Sequence, residues 1–206
     1  MNQQASRRVG QELSATYYDA KFGDAPQFYQ HYSASLYYGL WSVILDRLRP
    51  MKVRRILEIG CGTGQLANAV ADMGLAQSYL GLDFSQVAID QARKTNPKLT
   101  FRCADVQQDR ALEEADYNIV LSTEFLEHIE GDLAVINRIR PGSVVIASVP
   151  NFPHREHVRH FANAQEVHDR YSGAFERLYV VPIVHRLLAN GYHLKHFLLQ
   201  GRRKPA

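Results

Sequence analysis

The sequence predicts a doubly wound α/β fold. From residue 51 onward, short strand-like runs alternate with helical segments of 10–15 residues, the signature of βα units in a parallel sheet. One run, YNIVLS at 117–122, is apolar throughout, as a strand covered on both faces must be. A glycine-rich turn directly follows the first run.

The elements follow in order. Residues 1–15 are polar and read as loose. Between Tyr17 and Tyr38 lie six Tyr and two Phe in 22 residues. Leu40, Trp41, Ile44, Leu45 and Leu48 then recur at helical spacing until Pro50 stops the helix. This stretch reads either as a helical pair packed on the core or as an aromatic lid over a pocket. VRRILEI (53–59) is a strand ending at Gly60, and 65–73 is a helix closed by Gly74. SYLGLD (78–83) is the second strand, and Ser85 caps a helix running to about Thr95. LTFRC (99–103), YNIVLS (117–122) and SVVIASV (143–149) are further strands, with 125–139 helical and Pro141-Gly142 a turn. Residues 164–171 read as a helix and HLKHFLLQGR (193–202) as a closing strand. Residues 178–189 stay open, because Pro182 suits an early helix position or a strand end. The expected division is a cap at 1–50 and a main domain at 51–206, elaborated at 151–190.

With 206 residues, 46% of them hydrophobic and 22% charged, the chain can bury a core without disulfide or metal staples. Collagen-like, low-complexity and wholly disordered classes are excluded. Two cysteines, Cys61 and Cys103, make no disulfide framework. No run approaches the roughly 20 apolar residues of a membrane span, and the N-terminus lacks a signal-peptide apolar region. A cytoplasmic protein with no membrane partner is the expectation. The oligomeric state is not written in the sequence. The net charge of +3 is unevenly spread: residues 151–206 hold nine Lys/Arg against four Asp/Glu, and seven of the nine histidines.

The turn after the first strand reads Glu58-Ile59-Gly60-Cys61-Gly62-Thr63-Gly64. Glycines here let a ligand approach the backbone, and the helix that follows adds free N–H groups. Asp83 ends the second strand 19 positions after Gly64, where a carboxylate grips ribose hydroxyls. Glu58 is unwelcome to a pyrophosphate but suits a ligand with an amino or sulfonium charge. Asp105 follows the third strand.

LEIGCGTGQLA resembles the first motif of class I S-adenosylmethionine-dependent methyltransferases, over about residues 51–150. The resemblance implies a Rossmann-like sheet of seven strands, mostly parallel, with an antiparallel last strand. It implies that Glu58, Gly60, Cys61, Gly62 and Gly64 line the methionine part of S-adenosylmethionine. Asp83 would hold the ribose, Phe84 would flank the adenine, and Asp105 with Val106 would meet its amino edge.

Past the fourth strand comes Glu124-Phe125-Leu126-Glu127-His128. On a helix, positions i, i+3 and i+4 share a face. Two carboxylates and an imidazole suit a divalent cation, with another ligand drawn from His154, His157 or His160. The set Glu124, Glu127, His128 and His157 is the candidate. This pattern resembles the ubiquinone-pathway O-methyltransferases and the small-RNA 2′-O-methyltransferases. Both methylate one hydroxyl of a vicinal diol. Without a metal, His128 with Glu127 remains a candidate for proton removal, since imidazole titrates near neutrality. HREHVRH (154–160) reads as a short strand, either a rim for an anionic or polynucleotide ligand or a solvated face. Gly201-Arg202-Arg203-Lys204 reads as a solvated end. The expected activity is methyl transfer to a hydroxyl, or less readily an amine, of a small molecule. The rivals are a metal-dependent RNA 2′-O-methyltransferase, since nucleic acid is possible but not favoured, and a non-catalytic cofactor-binding regulatory subunit.

Overall fold

A computed structural model describes residues 10–52, 54–187, 191 and 193–205. The expectation of a loose 1–15 segment therefore falls largely outside the described residues. The chain begins with helix α1 (Ala15–Asp24), two single-turn 3-10 segments and α2 (Tyr38–Leu48). There follow β1 (Arg55–Ile59), α3 (Gln65–Asp72), β2 (Ser78–Asp83), α4 (Gln86–Thr95), β3 (Thr100–Cys103), α5 (Ala111–Glu114) and β4 (Ile119–Ser122). α6 (Asp132–Arg138), β5 (Val144–Pro150), α7 (Ala164–Tyr171), β6 (Phe175–Leu187) and β7 (His193–Arg203) complete it. The seven strands form one sheet in the order β3-β2-β1-β4-β5-β7-β6. β7 runs antiparallel to both neighbours, and the other described pairings are parallel. The order reverses between β1 and β4, so the carboxyl ends of these strands open a crevice there, the usual ligand position in such sheets. Among the described residues, no helix is long and apolar enough to cross a membrane.

The two N-terminal helices differ in kind. α2 buries Leu40, Trp41, Ile44, Leu45 and Leu48 in the cluster shared with Leu66 and Val70 of α3 and Ile146 of β5. α1 buries no residue. Ile44→Ala should therefore lower unfolding stability by about 2–5 kcal/mol, read from urea denaturation with an unchanged slope. Alanine at the half-buried Tyr17 should cost less than Ile44→Ala in the same measurement.

Several local expectations are corrected. Only Asp132–Arg138 of the expected 125–139 helix is helical, and residues 125–130 form turns. Glu124 has φ +54°, and His128 N–H bonds the Phe125 carbonyl at 2.9 Å. The carbonyls of Leu126, Ile129 and Glu130 accept instead from the buried Arg159 guanidinium, at 2.5, 2.5 and 3.1 Å. Residues 154–160 are not a strand, and Glu156 to His160 are all buried. That segment packs into the molecule, leaving His154 and Arg155 exposed. Arg203 is buried rather than solvated, donating to the Ile136, Ala174 and Asn137 carbonyls. The open 178–189 stretch lies in β6 up to Leu187. Pro182 is tolerated there because β6 is an edge strand.

Candidate functional site

The carboxyl ends of β1, β2 and β4 and the loop after β5 surround a cavity of about 860 Å³, roofed by α1. That volume lies in the usual range for small-molecule sites, about 300–1,000 Å³. Gly60, Gly62 and Gly64 all have positive φ, at 73°, 51° and 80°. A Cβ on Gly60 would come within 2.8 Å of the Phe125 ring, so this position requires glycine twice over. Asp83 Oδ2 accepts from Gly62 N and Oδ1 from Ser85 N, each at 2.9 Å. One carboxylate thus ties the glycine loop to the start of α4. Ser85 caps α4, accepting from Ala88 N. Asp105 caps its own turn through Gln107 N at 2.9 Å. Val106 is buried, Cys61 is buried, and the Phe84 ring lies 5.3 Å from that of Tyr18.

Glu58 is wholly buried, and the Tyr79 hydroxyl donates to it. Burial raises its carboxyl to about 8 against the Tyr79 bond, and the nearby Asp83 charge adds to the rise. Asp83 rises to about 6, again through burial. Both folded values exceed the unfolded ones, so the native state holds more protons between those limits. Stability of the ligand-free protein should therefore fall as pH rises from about 4.5 to 8. Chemical denaturation across that range should show a weaker pH dependence for Glu58→Gln.

The second half of the site is built from the turn after β4 and the loop after β5. Glu127 is fully buried, and among the described residues neither of its carboxylate oxygens finds a hydrogen-bond partner. Ligand atoms of Glu127, His128 and His157 all lie within 4.8 Å of one another. His128 Nδ1 is 2.9 Å from the Glu156 carbonyl, and His157 Nδ1 is 3.1 Å from the Phe152 carbonyl. A carbonyl can only accept, so each Nδ1 carries the proton and each Nε2 keeps a free lone pair. Burial lowers both imidazoles, His157 to about 4, which keeps them neutral at physiological pH.

Glu124 takes another partner. Its Oε1 lies 2.6 Å from Nε2 of His196 on β7, and its N–H bonds the Ser148 hydroxyl at 3.2 Å. Burial would raise Glu124, but His196 beside it outweighs burial and holds it below the ordinary carboxylate range. Burial and the Glu124 charge push Glu127 well above that range. The two neighbouring carboxyls are thus pushed in opposite directions.

No motif in the sequence singles out His196, Tyr18, Glu156 or Arg159. His196 carried one signal, an imidazole inside the apolar run of β7. Glu156 and Arg159 stood in a segment that resembled a solvated charge cluster.

Residues 56–141 match the family model described as a methyltransferase domain. The matched stretch carries β1 to β4 of the sheet and the glycine loop. The chain is 29% identical over 116 residues to the ubiquinone biosynthesis O-methyltransferase of Vibrio parahaemolyticus, covering 52% of this chain and 48% of the relative. It is 30% identical over 115 residues to the malonyl-[acyl-carrier protein] O-methyltransferase of Bacillus cereus, covering 53% and 42%. The chain spans about half the length of the curated relatives it matches. The phosphoethanolamine N-methyltransferase 2 of Haemonchus contortus, solved with S-adenosyl-L-methionine, superposes with a TM-score of 0.71. That likeness covers 94% of this chain and 60% of that one at 15% identity, and speaks to fold alone.

Proposed function

We propose that this protein transfers the methyl group of S-adenosylmethionine to a hydroxyl of a small molecule. The observation that carries this is that the glycine loop, His128 and His157 line one cavity, with Glu127 buried behind the two histidines. In this reading Glu58, Gly60, Cys61, Gly62 and Gly64 line the methionine portion of the cofactor. Asp83 holds the ribose, Phe84 lies against the adenine, and Asp105 with Val106 meets its edge. Residues 1–50 act as the cap and 51–206 as the methyltransferase domain, with 151–190 as the substrate-side elaboration. The cap excludes water while the acceptor oxygen is held in line with the sulfonium methyl. As the oxygen attacks, its proton passes to the Nε2 lone pair of His128, and Glu127 orients the imidazole–acceptor pair.

As an alternative to that proton transfer, a divalent cation fits the same residues: a buried carboxylate with no hydrogen-bond partner among the described residues lies with ligand atoms of His128 and His157 within 4.8 Å of one another. Glu127, His128 and His157 would hold it, with Glu124 remaining on His196. When bound, it would lower the pKa of the acceptor hydroxyl.

Calorimetric titration with S-adenosylhomocysteine tests the cofactor half. Saturable binding is expected, and its absence would overturn the reading. For the metal half, chelator-dialysed protein is titrated with Mn²⁺ and Zn²⁺. Glu127→Gln should lower cation affinity by more than the roughly 10–100-fold that loss of an outer-shell partner costs. Equal affinity in the variant would remove the metal from the proposal.

A further inference from the structure

One buried carboxylate meets both the roof of the cavity and the histidines beneath it. Glu156 is buried, and its Oε1 accepts from the Tyr17 hydroxyl at 2.6 Å while Oε2 accepts from Lys21 Nζ at 2.5 Å. Both donors stand on α1. The main-chain carbonyl of the same residue receives the Nδ1–H of His128. From above, the Tyr18 hydroxyl lies 3.1 Å from that same Nδ1.

The chain around Glu156 is tied to the N-terminal segment as well. Gly10 N donates to the His157 carbonyl at 2.9 Å and Gln11 N to the Arg155 carbonyl at 3.4 Å. α1 fully buries no side chain, so polar contacts hold it together with the packing of Tyr18 on Phe84 and Phe22 on Phe28. Asp19 on Ser85 and Glu12 on Glu130 N secure its other sides. A buried carboxylate stripped of donors is costly. Glu156 has its two side-chain donors only while α1 is seated.

We propose that Glu156 is a positioning residue that couples the seating of α1 to the orientation of His128. With α1 docked, the Glu156 carboxylate fixes the 154–158 segment. Its carbonyl, with the Tyr18 hydroxyl oxygen as a second acceptor, then locks His128 with the proton on Nδ1 and the lone pair on Nε2. With α1 released, the carboxylate loses both partners, the segment shifts, and the carbonyl that sets the tautomer shifts with it. The catalytic pair is thereby completed only under a closed roof. This deepens the proposed function and rests on its reading of His128.

The test uses the full chain without ligand. Amide hydrogen exchange reads the seating of α1, and ¹⁵N chemical shifts of the His128 ring read its tautomer. Tyr17→Phe is the informative variant, since Tyr17 contacts Glu156 and Arg155 but has no hydrogen bond to His128. Tyr17→Phe and Glu156→Gln should each speed exchange of the α1 amides by about tenfold, the weight of one charge-assisted hydrogen bond. Each should also move the His128 ring from the Nδ1–H form toward a tautomer mixture. The proposal is overturned by α1 exchange within about twofold of the parent, or by faster exchange with an unchanged His128 ring. If Glu156→Gln fails to fold, Tyr17→Phe alone decides. A parent chain that does not bind S-adenosylhomocysteine would sink the methyl-transfer reading while leaving these two readouts intact.

Discussion

Asp83→Ala is expected to weaken S-adenosylhomocysteine binding by roughly 100-fold or more, the weight of two hydrogen bonds to an ionised group. Asp83 ends β2 beside the glycine loop, and its two oxygens already hold Gly62 N and Ser85 N. The remaining lone pairs of the carboxylate are the ones a ribose diol would use. Under the proposed function, removing the side chain would cost the ribose contact, and it frees Gly62 N and so loosens the glycine loop. Asp105→Ala is the comparison. That carboxylate caps only its own turn, so a loss of about tenfold is expected. Calorimetry of both variants, with thermal melts to confirm folding, separates the two roles. Equal affinities for parent and Asp83→Ala would show that the ribose lies elsewhere.

Arg159→Ala is expected to destabilise the fold by about 3–5 kcal/mol and to lower Tm by roughly 10 °C. The buried guanidinium lies 3.4 Å from Asp132, itself fully buried and held by Arg170 at 2.6 and 2.8 Å and by the Tyr171 hydroxyl at 2.8 Å. Arg159 also satisfies the carbonyls of Leu126, Ile129 and Glu130, which no helix satisfies. Alanine leaves those groups buried without a donor and the turn that carries Glu127 and His128 without its brace. Arg159→Lys should recover part of the loss, because one ammonium cannot span three carbonyls as a planar fork does. A cost under about 1 kcal/mol in urea denaturation would mean that water or a shifted backbone replaces the guanidinium.

The α/β alternation was legible because it is a local property. Ser85 as the cap of α4, Gly74 after α3 and the apolar β4 each follow from residues within a few positions of one another. The glycine loop and the carboxylates at the ends of β1 and β2 were legible for the same reason. The turn at 125–130 was not. Its apolar spacing suits a helix, but the decisive donor, Arg159, stands some thirty residues downstream. The 154–160 segment failed similarly, since alternation cannot reveal that both sides of a segment are covered.

The sequence by itself determined the class of fold, the succession of strands up to β5 and the glycine loop with its neighbouring carboxylates. Those depend on backbone conformation and hydrophobic period, which neighbouring residues set. Only the tertiary structure decided that Glu124 belongs to His196, that Glu127 is left for His128 and His157, and that Glu156 joins the roof to the floor. Each pairing brings together groups from separate elements. A buried charge takes whichever partner the packing places within a few ångströms, and sequence spacing does not record that distance.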